Sequence, residues 1–154
     1  MMARTFIVPG EPRGKMRPKA SNFGGHSRVY TPSKQIEYEN WIRCCYREKY
    51  PDEPIWDEPL AVAVVVYMGI PKSTPKKKRS LMLQGDILPT KKPDLDNVIK
   101  DLDALNGIAF TDDSLITDIQ ACKRYAETPR VEFFMKKIAD TKAENSRGEQ
   151  CEAR

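Results

Sequence analysis

Apolar positions along the chain recur in short runs of two periods, and these runs mark out strands and helices before any single residue is considered. Thr5, Phe6, Ile7 and Val8, within Ala3 to Pro9, predict a β-strand stopped by Pro9-Gly10. From Glu11 to Tyr30 the period disappears among Pro, Gly, Ser and basic residues, which predicts a long surface loop with a mobile tip at Gly24-Gly25. Ser33 is then the expected cap of a helix running to about Lys49, its apolar stripe drawn from Ile36, Trp41 and Cys44 beside Tyr38, Ile42 and Cys45. Pro51, Pro54 and Pro59 interrupt the chain before Leu60 to Met68, whose unbroken Val-rich run predicts a central buried strand.

Pro71 to Lys92 is a basic excursion in which Pro75 to Leu83 predict a short helix. A second short helix is expected from Asn97 to Asn106, capped by Asp96 and closed by Gly107 in a left-handed exit. At 3.6 residues per turn its Val98, Leu102 and Leu105 face a core, while Asp96, Lys100 and Asp103 gather opposite, with Lys100 one turn above Asp96. Leu115 to Tyr125 and Arg130 to Ile138 predict two strands, an antiparallel pair across Glu127-Thr128-Pro129, with Val131, Phe133 and Met135 on one face. The fold class is therefore α+β: a mixed β-sheet, a main helix packed on it, and a short helix after an Asp-x-Asp pair. Residues 1–139 form one domain, and the polar stretch 140–154, without apolar pattern, is expected to be a disordered tail.

Length and composition agree with one domain: 154 residues with 40% apolar content support a modest core. The net charge of +4 is mild but unevenly placed, with Arg13, Lys15, Arg17 and Lys19 in one loop and Lys76, Lys77, Lys78 and Arg79 in another. Such placement favours a polyanionic partner. Cys44, Cys45, Cys122 and Cys151 include no Cys-x-x-Cys pair, which argues against zinc and for reduced thiols. Arg4 interrupts the N-terminus, no signal peptide is expected, and no apolar run approaches membrane-spanning length, so a soluble cytoplasmic protein without a membrane partner is the expectation.

The densest chemistry lies in Lys91-Lys92-Pro93-Asp94-Leu95-Asp96-Asn97-Val98-Ile99-Lys100 and in Asp112-Asp113. Asp94 and Asp96, two apart after a proline, can aim at one spot. A ten-residue helix carries the chain about 15 Å away, and the seven residues from Gly107 to Asp113 can return roughly 23 Å if extended. Asp113 can thus rejoin Asp94 and Asp96, and three converging carboxylates suit a hard cation such as Mg²⁺ or Mn²⁺. Taken singly, each aspartate is ordinary as a helix cap or turn residue. Flanking Lys91, Lys92 and Lys100 tilt the balance toward a metal site that handles phosphodiesters. An EF-hand is excluded because its sixth and twelfth places hold Ile99 and Leu105. A nucleotide-sugar transferase could use Asp-x-Asp, but the chain lacks a Gly-rich phosphate loop.

The same run, continued by Asp101-Leu102-Asp103-Ala104-Leu105-Asn106-Gly107 and by Asp112-Asp113-Ser114-Leu115-Ile116, resembles the signature of the RusA-type Holliday-junction resolvases of bacteria and their prophages. The resemblance is strongest from Lys91 to about Val131 and extends to the basic stretch Arg13 to Tyr38. It implies a Mg²⁺-dependent crossover junction endodeoxyribonuclease, with Mn²⁺ as a possible substitute, that resolves four-way DNA junctions by paired symmetric nicks in recombination and repair. Asp94, Asp96 and Asp113 match the family's metal-binding carboxylates, and Lys100 matches its essential lysine. Where the enterobacterial member has an arginine run before the first aspartate, this chain has Lys91, Lys92 and Pro93. The DNA-binding residues expected are Lys15, Arg17, Lys19, Arg28, Lys76, Lys77, Lys78, Arg79, Lys91 and Lys92, with Phe23 or Tyr30 available for stacking. A homodimer is expected, since two like strands must be cut and one site cuts one. Beside this stand a less selective branched-DNA nuclease and a non-catalytic nucleic-acid-binding protein, which metal-dependent cleavage would separate.

Overall fold

The computed structural model describes residues 3–138, so the tail expected over 140–154, with Cys151, lies outside the described residues. Four strands form the main sheet: β1 (Ala3–Pro9), β4 (Leu60–Gly69), β5 (Ile116–Ala126) and β6 (Arg130–Lys137), in the order β1-β6-β4-β5. β6 is antiparallel to both β1 and β4, whereas β5 runs parallel to β4, which makes the sheet mixed. β4 lies between two partners, as its Val-rich run suggests. Its burial alternates: Leu60, Val62, Val64 and Val66 are buried, while Ala61, Ala63 and Val65 on the other face are half-exposed. A continuous apolar run therefore masks an ordinary period of two.

The expected β5–β6 hairpin is not formed, because β4 sits between the two strands. Glu127 to Pro129 cross the end of β4 instead. Two strand spacings are about 10 Å, and the four peptide steps from Ala126 to Arg130 reach about 13 Å, so a short connection suffices. Gly10 N–H donates to Pro129 O at 3.2 Å and ties that crossing to the end of β1.

The main helix α1 (Ser33–Lys49) packs on the sheet with Gln35, Tyr38, Ile42 and Tyr46 buried, a stripe at helical spacing. The other half of the expected stripe faces solvent: Ile36, Trp41 and Cys44 are exposed, and Trp41 covers the sheet edge only far enough for its indole N–H to reach Pro9 O at 3.0 Å. Ser33 does not cap the helix. That position is Pro32, whose carbonyl accepts from Gln35 and Ile36 N–H. Phe6 stacks on Phe133 at 4.9 Å and meets Tyr46 edge-on at 5.4 Å, so the core is built between β1, β6 and α1. No helix among the described residues is long and apolar enough to cross a membrane.

Residues Glu11 to Tyr30 are not all loop. β2 (Lys19–Phe23) and β3 (His26–Tyr30) form a two-stranded ribbon, turned by Gly24 and Gly25 at φ 61° and 78°. Two successive left-handed residues make the tight turn that matches strand twist, and glycine adopts them without steric cost. Every residue of the ribbon is exposed.

Between β4 and β5 the chain makes one long crossover. It contains α2 (Lys76–Gln84), which begins after Pro75 and ends at left-handed Gly85, close to the expected short helix. It also contains α3 (Leu95–Ile99), which passes into a 3₁₀ segment Lys100–Leu105. The expected α-helix over Asn97 to Asn106 is thus shorter, starts earlier and tightens after one turn. Asp94, not Asp96, is the residue before it, and its side chain makes no capping bond. The tighter coil buries Asp101 along with Leu102, Ala104 and Leu105. Gly107 does exit left-handed at φ 72°, and Ile108 to Thr111 fold into a compact turn against Trp56 rather than extending.

Candidate active site

The loop before α3 is fixed from the sheet. Lys123 on β5 donates to Lys91 O at 2.7 Å and to Pro93 O at 3.0 Å, and the Lys92–Pro93 peptide is cis. Asp94 and Asp96 then emerge with cations beside them. Asp94 stands 3.5 Å from Lys92 Nζ, and Asp96 stands 3.7 Å from Lys100 Nζ, which also donates to Asn97 Oδ1 at 3.4 Å. All four side chains are largely exposed, so these ion pairs are weak and easily exchanged.

Asp112 and Asp113 divide their duties. Asp112 Oδ2 accepts from Ser114 N–H at 3.2 Å and caps the 3₁₀ turn Asp113–Leu115; the Ser114 side chain, and then that N–H, hold its carboxyl below the usual range. Asp113 makes no such cap and meets Asp103. Their hydrogen bond, then partial burial and the charges of Asp103 and Asp112, push the Asp113 carboxyl up. Burial also pushes Asp103 up, but the Lys15 ammonium and the proton shared with Asp113 outweigh it and hold Asp103 low. Two carboxyls pushed apart in acidity are the mark of acids crowded together.

The basic arm is tied into this acidic centre. Gly14 lies so close to α3 that a Cβ there would stand 3.0 Å from Asn97 Cβ and 3.2 Å from Pro93 Cβ. Lys15 N–H donates to Asn97 O at 3.0 Å, and Lys15 Nζ pairs with Asp103. Met16 N–H donates to buried Gln35 Oε1 at 2.8 Å, and Gln35 Nε2 reaches Asp101 Oδ1 at 3.2 Å and Glu39 at 2.9 Å. Burial lifts the Asp101 carboxyl to about 7, the nearby charges of Glu39 and Asp103 adding to it against the Gln35 bond and the Lys15 charge.

Asp103, Lys123 and Gln35 were not among the residues that the sequence singles out. Asp103 does carry a signal, as the third polar position on the face of Asp96 and Lys100. Lys123 and Gln35 do not, since their roles depend on strand and helix packing. Arg17 lies just before the exposed ribbon that carries Lys19 and Arg28. Lys76, Lys77, Lys78 and Arg79 lie on α2, where Arg79 reaches Glu127 at 3.5 Å near the end of β5.

Against known proteins, the model of the RusA endodeoxyribonuclease family matches residues 9–136. The chain belongs to that family. The match spans the arm, α1, the crossover and most of β6. A relative from Bacillus subtilis (strain 168), the uncharacterized protein YqaN, is 35% identical over 137 residues, covering 87% of this chain and 96% of its own. Membership in the RusA family makes the chain a nuclease of DNA by class, and its acidic centre among lysines is compatible with phosphodiester hydrolysis.

The donor set also bears on a metal. Asp94, Asp96, Asp103 and Asp113 offer only hard carboxylate oxygens, which suits Mg²⁺ or Mn²⁺ rather than zinc. As the side chains stand, no group of three such acids among the described residues is close enough to hold an ion. Asp94 and Asp96 engage lysines, and Asp113 engages Asp103. A divalent cation would relieve that last pair and displace the surface lysines, so the residues fit the ion in kind.

Proposed function

We propose that the chain is a Mg²⁺-dependent endodeoxyribonuclease that resolves four-way DNA junctions by paired symmetric nicks, with Mn²⁺ able to substitute. The observation that carries this is the meeting of clustered acids with cations from separate elements: Lys15 of the arm on Asp103, Lys92 of the loop on Asp94 and Lys100 of the 3₁₀ segment on Asp96. Asp94, Asp96 and Asp113 would hold the ion, with Asp103 backing Asp113. When bound, such an ion would lower the pKa of water and offset charge on phosphate oxygens. Lys100, on the exposed surface beside Asp96, is free to swing from it to the phosphate. There it opposes the charge that builds on the non-bridging oxygens as attack proceeds. Lys15 holds Asp103 ionised while the proton of the pair rests on Asp113, from which a bound divalent cation would displace it.

The working unit is proposed to be a homodimer. The apolar strands β4 and β6 are neighbours in the sheet. Their core-facing residues are used within the chain, which leaves the opposite face, where Phe134 is 44% exposed beside half-exposed Ala61, Ala63 and Val65. A second copy on this open apolar face would give two active sites related by a dyad, one for each strand of like polarity.

The test is incubation with Mg²⁺ and labelled four-way junctions beside linear duplex of the same sequence, with Asp96→Asn in parallel. Paired nicks in the junction alone, lost in the variant without loss of binding, are expected. Equal cutting of linear DNA would leave a general nuclease, and binding without cutting in either protein would leave a non-catalytic binder.

A further inference from the structure

The ribbon β2–β3 has two unlike faces. Directly paired residues of an antiparallel ribbon share a face. Lys19 with Tyr30, Ser21 with Arg28 and Phe23 with His26 therefore lie on one side, and Ala20 with Val29 and Asn22 with Ser27 on the other. Both aromatic residues and all the basic residues of the ribbon fall on the first side. Phe23 at the tip is 90% exposed and Tyr30 at the base 49% exposed. From Pro12 to Ile36 the chain contains no acidic residue. A lone two-stranded ribbon is marginal in water, and a phenylalanine wholly in solvent has no packing role in the folded chain.

We propose that this face binds bases that are out of the double-helical stack, with Phe23 and Tyr30 each covering one base and Lys19 and Arg28 meeting the phosphates between them. The positions of Phe23 and Tyr30 are four pairings apart along the ribbon, about 13 Å. Neighbouring phosphates on one duplex strand are about 3.4 Å apart along the axis, so the two rings cannot grip adjacent stacked bases. They suit two bases separated along an unstacked strand, as occurs where duplexes part. Aromatic stacking holds any base without regard to sequence, and the interleaved cations add attraction for the backbone. The ribbon is thereby a reader of branching. This rests on the nuclease function proposed above, to which it adds the part of the substrate recognised and the residues that select it.

The test measures binding without cleavage, in EDTA, of the full chain to a four-way junction carrying 2-aminopurine at the branch and to a linear duplex. Phe23→Ala and Tyr30→Ala remove exposed side chains, so folding is retained. Each should weaken junction binding about tenfold and reduce the 2-aminopurine response. Duplex binding should change less than about twofold, since phosphate contacts persist, and Phe23→Trp should restore the junction affinity. Equal losses on both DNAs, or none on either, would overturn the assignment. So would a change in sedimentation mass without DNA, which would make the ribbon a contact between chains. Wild-type cleavage in Mg²⁺ is scored separately: junction cutting with unaffected alanine variants sinks the ribbon's role alone. Selective loss in those variants without any wild-type cutting sinks the nuclease function alone.

Discussion

Replacing Asp101 with Asn should change how stability depends on pH, and the size of the change follows from where Asp101 sits. The residue is 1% exposed, one of its oxygens accepts from Gln35, and the other has no partner among the described residues. Burial is the main reason that its carboxyl rises from 3.8 to about 7. Because the folded value lies above the unfolded one, the contribution to stability is complete below about pH 4 and is lost as pH rises through about 7. At about 1.4 kcal/mol per pH unit the whole loss is roughly 4 kcal/mol, and more than half of it falls between pH 5 and pH 8. Asp101→Asn keeps an oxygen for Gln35 and abolishes the titration, at a constant cost for an amide that lacks an acceptor. The variant is thus expected to be the less stable protein at pH 5 and to gain on wild type by about 2 to 3 kcal/mol by pH 8. Urea unfolding followed by the fluorescence of buried Trp56 supplies both curves, and taking their difference removes the other titrating acids. Parallel curves would refute the reasoning, since they would mean that Asp101 is solvated or ion-paired rather than buried.

Other expectations concern the site and its surfaces. Lys100→Ala should lower kcat about a hundredfold or more while junction affinity changes less than threefold, as for a cation whose value is greatest in the transition state; a matching fall in gel-shift affinity would make it a simple phosphate anchor. Asp113→Asn should abolish cleavage and Asp112→Asn should only weaken it, because Asp112 serves the Ser114 cap; single-turnover rates in the reverse order would transfer the role to Asp112. Neutralising Lys76, Lys77, Lys78 and Arg79 together should flatten the salt dependence of binding by up to roughly one unit per lost phosphate contact, and an unchanged slope would confine α2 to a solvated role. Phe134→Arg should give a folded species at the 17.6 kDa chain mass in sedimentation, where wild type gives about twice that; an unchanged dimer would exclude the open sheet face.

The elements that the sequence makes legible are those set by local pattern. β1, β4, the extent of α1, α2 after Pro75 and the left-handed exit at Gly107 all follow from apolar period or from Pro and Gly. What escaped depends on partners distant in sequence. Whether β5 pairs with β6 or with β4 is decided by which strand fills the middle of the sheet, and a short connection reads the same in both cases. Ile36, Trp41 and Cys44 make as good a stripe as Tyr38, Ile42 and Tyr46 until the sheet chooses between them. The ribbon was hidden because its strands bury nothing and show no apolar alternation, leaving Gly24-Gly25 as its one local sign. Within the site, the acids and Lys100 stand out by composition. The Asp103–Asp113 contact does not, because it requires the tight 3₁₀ turn and the compact return through Trp56.

The crossover from β4 to β5 carries a further implication. Asp94, Asp96, Lys100, Asp103 and Asp113, with the basic run of α2, all lie on this one excursion between two neighbouring parallel strands. The sheet supplies its two ends and, through Lys123, one fastening point. Its other polar fastenings include Lys15, Gln35 and Arg43, the last donating to Ala104 O at 2.9 Å. The acidic centre therefore behaves as a cassette inserted into a scaffold. Within that cassette, loop length and charge before Asp94 or along α2 can drift without disturbing strand register, while the few fastening residues must stay matched to it. A lineage could in this way retune which DNA shapes it engages while its core and its chemistry stand still.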